Sequence, residues 1–224
     1  MKIIAFDVYG TLFDVYSLGD ICEKCLGEKG RDICVTWRQK QLEYSFLREL
    51  MNNYIEFSKI TKDALQYACE VNNVKLTKEV ENILLSAYLT MKPYREVLDV
   101  LDKLKKRKDI KLCVFSNGDF SMLMPLLKNN EMLEKFHEIL TVDERKHYKP
   151  SNKAYSIVTE KFNAEPEDVI FLSCNTWDIT GATHFGFKSV WVNRDNIVLD
   201  KLGINPCNVI KDLTELPKII NRYV

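Results

Sequence analysis

Lys2-Ile3-Ile4-Ala5-Phe6-Asp7-Val8-Tyr9-Gly10-Thr11-Leu12-Phe13-Asp14 is the stretch that decides the fold. Ile3 to Phe6 is an unbroken apolar run, the pattern of a strand covered on both faces in a parallel sheet. Asp7 follows directly, Gly10 lets the chain turn tightly, and the Thr11 hydroxyl is placed to hydrogen-bond back toward the strand end. Ligands of open α/β sheets bind beyond the carboxyl ends of the strands, so a strand here delivers a carboxylate to a binding edge. Taken alone, Asp7 reads better as the cap of a turn than as a functional carboxylate. The rest of the chain decides between the two.

From about Tyr16 to Leu89 strand-like runs stop and helical spacing takes over. Trp37, Leu42, Tyr44, Leu47, Met51, Tyr54 and Ile55 recur at i, i+3 and i+4 intervals. Ala64, Leu65, Tyr67, Ala68 and Val71 form a second amphipathic segment; Val80, Ile83, Leu84, Ala87 and Tyr88 form a third, with Thr77 as its N-cap. This block, residues 16–90, is expected to be an all-helical cap domain inserted after the first strand. Pro93 disfavours helix in the residue before it and marks the return. Residues 1–15 and 91–224 are expected to form an α/β core. Strands are expected at Ile110 to Phe115, Glu138 to Val142, Val169 to Leu172, Ser189 to Val192 and Asn208 to Ile210. Helices such as Ala154 to Phe162 supply the crossovers of a doubly wound parallel sheet.

At 224 residues, 46% hydrophobic and 29% charged, the chain is large enough for one sizeable core plus an insertion. Lys plus Arg equals Asp plus Glu at 32 each, so the net charge proposes neither nucleic acid nor an anionic membrane as partner. No apolar stretch approaches the ~20 residues that span a bilayer, and the N-terminal run lacks the length and cleavage site of a signal peptide. A cytoplasmic location is expected. Seven cysteines, an odd and scattered set, are no disulfide framework. Cys22 and Cys25 have no second pair and no nearby His to complete a zinc site, so they read as two thiols one helical turn apart. A disulfide between them stays open for a hyperthermophilic source.

The alternation of strands and helices brings polar groups from four segments to one sheet edge: Asp7; Ser116 with Asn117; Lys149; and Ser173 with Asn175 and Asp178. A helix from Trp177 to Phe185, ended by Gly186, turns its N-terminal N–H groups to the same edge, where they favour negative charge. Four tracts, Phe6 to Val15, Trp37 to Tyr44, Phe115 to Gly118 and Ser173 to Ala182, resemble the haloacid dehalogenase superfamily. Its fold is a Rossmann-like sheet and its first motif supplies a nucleophilic Asp. Phosphatases of the superfamily carry a second Asp two residues on, where this chain has Tyr9. Asp-Val-Tyr-Gly-Thr-Leu-Phe-Asp is instead similar to the L-2-haloacid dehalogenase branch, and the likeness runs from Lys2 to about Arg194.

That resemblance implies a reaction and a cast of residues. Asp7 would displace halide from carbon 2 of a small anionic 2-haloacid with inversion, and water activated by Asp178, oriented by Asn175 or Ser173, would open the resulting ester. Lys149 would keep Asp7 ionised and meet the anionic substrate, although a lysine in a loop also reads as simply solvated. Arg38, in Trp37-Arg38-Gln39-Lys40-Gln41-Leu42-Glu43-Tyr44, matches the arginine that accepts the halide; without the resemblance it is one more helix-surface charge. Thr11, Ser116 and Tyr155 complete the catalytic set. Val8, Tyr9, Gln39, Leu42, Phe57, Asn117 and Trp177 are the expected substrate pocket. Tyr155 and Phe57 read equally as core aromatics, and Cys174 departs from the more usual Ser between Ser173 and Asn175.

No metal or other cofactor is implied, since Tyr9 replaces a carboxylate and Lys149 supplies positive charge. A homodimer is expected from the resemblance alone. Two rivals stand beside this reading. A magnesium-dependent small-molecule phosphatase would keep Asp7, Ser116, Lys149 and Asp178 but lacks an acid at Tyr9 to protonate the leaving alcohol. A non-catalytic anion-binding protein would use the same fold, yet gains nothing from two carboxylates.

Overall fold

The computed structural model describes residues 1–223. Its six strands are β1 (Lys2–Phe6), β2 (Ile110–Ser116), β3 (Glu138–Thr141), β4 (Val169–Ser173), β5 (Lys188–Val192) and β6 (Asn208–Ile210). They form one sheet in the order β3-β2-β1-β4-β5-β6, and every pairing is parallel. Ile4 of β1 lies between Leu112 of β2 and Ile170 of β4, and all three are fully buried. The strand order turns around at β1 and β4, which opens a crevice beyond their carboxyl ends. Asp7 stands at that point, with its N–H bonded to the Leu172 carbonyl at 2.9 Å.

Four of the α-helices between β1 and β2 form the cap: α1 (Gly19–Leu26), α2 (Gly30–Leu50), α3 (Phe57–Val71) and α4 (Lys78–Ala87). The core helices are α5 (Val97–Lys105), α6 (Phe120–Asn129), α7 (Asn152–Phe162), α8 (Thr176–Phe185) and α9 (Leu216–Ile220). Thr77 caps α4 by accepting from the Val80 N–H, and Gly186 ends α8 in the left-handed region at φ 111°. No described helix is long and apolar enough to cross a membrane.

The hydrophobic periodicity misjudges the longest cap helix in two respects. α2 stops at Leu50 and Asn52 takes a left-handed φ of 51°, so Tyr54 and Ile55 belong to the following link. There Tyr54 stacks on Tyr148 of the core, with ring centres 4.9 Å apart. Leu47 and Met51, expected inside, are exposed. The buried face of α2 is Gly30, Ile33, Cys34, Trp37, Arg38, Gln41 and Ser45, and the last three carry polar side chains because this face closes over a polar site. Cys22 and Cys25 lie one turn apart on α1, and Cys22 is buried beside Cys34 of α2.

Cap and core are tied by polar contacts near the crevice. The Glu49 carboxylate accepts from the Tyr148 N–H at 2.8 Å, the Tyr54 hydroxyl donates to Asp143 at 3.0 Å, and Asp119 accepts from the Ser58 N–H at 2.7 Å. That last bond holds the first turn of α3, and with it Phe57, against the core.

Candidate active site

The turn after β1 is built around one carbonyl. The Val8 oxygen accepts from the N–H groups of Thr11, Leu12 and Phe13, and Gly10 passes through φ 89°. A Cβ on Gly10 would lie 2.6 Å from the Cys174 sulfur, so both the dihedral and the space require glycine. The turn aims Thr11 back at Asp7: its hydroxyl donates to Asp7 Oδ2 at 3.0 Å and accepts from the Cys174 N–H at 2.9 Å. Asn175 Nδ2 at 3.0 Å and the Ser173 hydroxyl at 3.3 Å also donate to Oδ2. Three donors therefore hold one oxygen of Asp7, while Oδ1 receives only Lys149 at 3.0 Å and keeps lone pairs to spare.

Lys149 is no solvated loop residue, being fully buried. Its ammonium donates to Asp7 Oδ1 at 3.0 Å, to Asp178 Oδ2 at 2.7 Å and to the Phe115 carbonyl at 3.3 Å, which uses all three hydrogens. It also lies over the rings of Phe115 and Phe171, 5.1 Å from each centre. Burial opposes the charge, but Asp178 and then Asp7 outweigh it and hold the ammonium above its ordinary pKa. Asn117 fixes the lysine from behind, its side-chain oxygen accepting from the Lys149 N–H at 2.9 Å. The Ser116 hydroxyl accepts from the Gly118 N–H at 3.0 Å and pins the loop after β2.

Asp178 lies on the first turn of α8 and is fully buried. Burial pushes its carboxyl up to about 6 against the pull of Lys149, and the charge on Asp7 adds to the push. Tyr155 explains both expectations made for it. Its ring sits in a cluster with Phe115, Phe171 and Phe187, and its hydroxyl donates to Asp178 Oδ1 at 2.8 Å. It does not line the cavity, and its hydrogen bonds to the site run to Asp178.

Asp7, Tyr9, Arg38, Leu42, Phe57, Ser116, Asn117, Asn175 and Trp177 enclose a chamber of about 10 Å³. Arg38 is buried on α2 and donates from Nη1 to Gln41 Oε1 at 2.7 Å. Gln41 Nε2 in turn donates to the Thr61 hydroxyl at 2.7 Å, so a chain of bonds running from α2 to α3 orients the guanidinium. Gln41 was not foreseen; its position three residues beyond Arg38, on the same helix face, is the available signal. The Tyr9 ring stacks on Phe57 and meets Tyr88 edge-on, at 6.4 and 5.8 Å between centres. Its hydroxyl and the Trp177 indole N–H are both buried without a protein partner. Burial also raises the Tyr9 pKa well above the ordinary phenol value.

Two expected pocket residues lie elsewhere. Gln39 is exposed and lines no part of the chamber, because one residue step turns it about 100° from Arg38 around α2. The Val8 side chain is fully buried in the core behind the turn, outside the chamber wall.

A parallel sheet with a carboxylate at its switch point and a helical cap closing over it defines a Rossmann-like α/β protein of the capped kind. The chain belongs to the haloacid dehalogenase-like hydrolases, whose family profile matches residues 1–186. It is 39% identical over 218 residues, 97% of this chain and 95% of the other, to (S)-2-haloacid dehalogenase 2 of Pseudomonas sp. strain CBS-3. With haloacetate dehalogenase H-2 of Moraxella sp. strain B it shares 40% over 206 residues, 92% of each chain. The structure of L-2-haloacid dehalogenase from Xanthobacter autotrophicus with chloropropionic acid covalently bound superposes with a TM-score of 0.91 at 30% identity, covering 99% of this chain and 98% of that one.

Proposed function

We propose that this chain is an (S)-2-haloacid dehalogenase, converting short L-2-haloalkanoic acids to (R)-2-hydroxy acids and halide. One observation carries the reading: Asp7 is held by four donors, of which only Lys149 is on Oδ1, so that oxygen keeps a free lone pair in the same chamber as the buried cation Arg38. Asp7 Oδ1 attacks carbon 2 from the side opposite the halogen. A C–O bond forms, the C–halogen bond breaks with its electron pair, and the centre inverts. Arg38 receives the halide; a guanidinium is weakly hydrated and is oriented by Gln41. Leu42, Phe57, Tyr9 and Trp177 hold the alkyl chain and keep bulk water away.

Hydrolysis of the aspartyl ester then needs a base beside Asp7. Asp178 fills that role, joined to the nucleophile through Lys149 and held by Tyr155, with a pKa of about 6 that leaves it ionised at neutral pH. It takes a proton from water as the water oxygen bonds to the Asp7 carbonyl carbon; the ester C–O bond opens at that carbon, the proton passes from Asp178 to the departing alkoxide, and the 2-hydroxy acid leaves. Ser173, Asn175 and Thr11 bind the carboxylate oxygen that becomes the ester carbonyl. Residues 16–90 act as the cap over a core of residues 1–15 and 91–224. The apolar side chains exposed on the cap, Val35, Leu47, Leu50 and Tyr67, suit a homodimer. The odd, scattered cysteines suit the reducing cytoplasm.

The test is halide release from each enantiomer of 2-chloropropionate in EDTA, run beside p-nitrophenyl phosphate hydrolysis with magnesium. Release from the L form alone, with D-lactate as product, is the expected result. Phosphate release without dehalogenation would make the chain a phosphatase instead.

A further inference from the structure

A second cavity, about 210 Å³, adjoins the chamber and shares Leu42, Asn175 and Trp177 with it. The chamber's own 10 Å³ is room for one water at most. A 2-haloacid is larger than that space, so the walls around Asp7 must give to admit one, and Leu42 of the cap and Trp177 of the core are walls common to both cavities. The larger cavity carries a cation that the reaction has not used. Arg194, just past β5, donates from Nη2 to Glu96 Oε1 at 2.6 Å, and its guanidinium carbon lies 3.8 Å from the centre of the Tyr94 ring. Its Nε and Nη1 are buried and have no acceptor in the protein. Buried N–H donors left unpaired are costly, and a guanidinium that only braced Glu96 would be expected to use more than one of its five.

We propose that this cavity is the antechamber of the active site and that the Arg194 guanidinium, whose two unpaired nitrogens are covered as it stands, turns from Glu96 to receive the substrate carboxylate there. A small aliphatic carboxylate fits the walls: a guanidinium for the carboxylate, with Leu42, Tyr94 and Trp177 for the alkyl chain. The inference rests on the dehalogenase reading and adds an encounter site to it. Glu96 competes with the substrate for Arg194 and stops the guanidinium from trapping product.

This competition gives the test its sign. The kcat and KM for L-2-chloropropionate are compared among wild type, Glu96→Gln, Arg194→Met and the double variant, with Arg194→Lys as the conservative control. Arg194→Met is expected to raise KM about tenfold with kcat within twofold, as befits loss of one charge-assisted bond. Arg194→Lys recovers part of that loss, and Glu96→Gln lowers KM. The double variant keeps the charge balance of the pair, which protects the fold, yet its KM stays near that of Arg194→Met. If instead Glu96→Gln and Arg194→Met both raise KM, or the double variant returns KM to the wild-type value, the pair is a structural brace and the antechamber assignment fails while the dehalogenase reading stands. Absence of halide release by wild type from any 2-haloacid would overturn both.

Discussion

Asp178→Asn isolates the least comfortable charge in the site. The carboxyl is fully buried and titrates at about 6 instead of 3.8, because burial outweighs the pull of Lys149. Between those two pH values the folded state holds a proton that the unfolded state has lost, so this group's contribution to stability falls as pH rises from about 4 to 6 and is constant above. At about 1.4 kcal/mol per pH unit, the ionised carboxylate costs the fold about 3 kcal/mol at pH 7.5. Asn is nearly isosteric with the protonated acid and removes that cost. Its amide offers one oxygen to two donors, Lys149 Nζ and the Tyr155 hydroxyl, which returns about 1 kcal/mol. The net gain is about 2 kcal/mol, or about 4–8 °C in melting temperature for a chain of this length. Thermal melts at pH 7.5 and 4.5 are the assay, with the gain shrinking to near zero at the lower pH. The same variant, lacking its base, is expected to release one halide per site and stop. A variant that melts at or below wild type at pH 7.5, or whose advantage grows on acidification, would refute the account of Asp178 as a strained base.

Three further outcomes follow from individual contacts. Tyr155→Phe removes a donor that favours the ionised form of Asp178, so the acid limb of the kcat profile should move above about pH 6, with halide-burst amplitude unchanged. Arg38→Met should slow the pre-steady-state halide burst by about a hundredfold, the scale of losing one charge-stabilising group, while hydrolysis of ester already formed continues at the wild-type rate. Gly10→Ala places a Cβ 2.6 Å from the Cys174 sulfur at φ 89° and should cost about 1–3 kcal/mol by urea unfolding. Cys174→Ala in that background should return the steric part of the loss and leave the dihedral part.

The core was legible because buried parallel strands are short apolar runs, and all six were placed to within about a residue of their ends. The residues immediately beyond those runs were legible for the same reason: once β1, β2 and β4 are fixed, Asp7, the loop after Ser116 and Asn175 have nowhere else to be. The cap was legible as helix but not as faces. Its inner surface covers a charged chamber, so Arg38, Gln41 and Ser45 are buried while Leu47 and Met51 are exposed, and a rule that places apolar residues inside chooses the wrong side. Gln39 entered the expected pocket through the resemblance and not through its pattern, and the helix turns it to the exposed face. Val8 failed differently, since its carbonyl and not its side chain is what the turn uses. Glu96 and Arg194 carried no sequence signal at all, because the two come together only where β5 ends beside the start of α5.

Position 9 links the charge balance of the site to its closure. Lys149 has spent its three hydrogens on Asp7, Asp178 and the Phe115 carbonyl, so it has none for a third acid. A carboxylate at position 9 would enter a buried site already holding two, and would draw to itself Arg38, the cation that shares the chamber with it. Tyrosine avoids the charge and fills the space with a ring that reaches the cap, against Phe57 of α3 and Tyr88 just beyond α4. The aromatic contacts that shut out water are thus made by the same residue that leaves Lys149 free to balance Asp7 and Asp178. Closure strengthens every charge interaction inside. It also leaves Arg38, carried in on the cap, as the cation available to a departing anion.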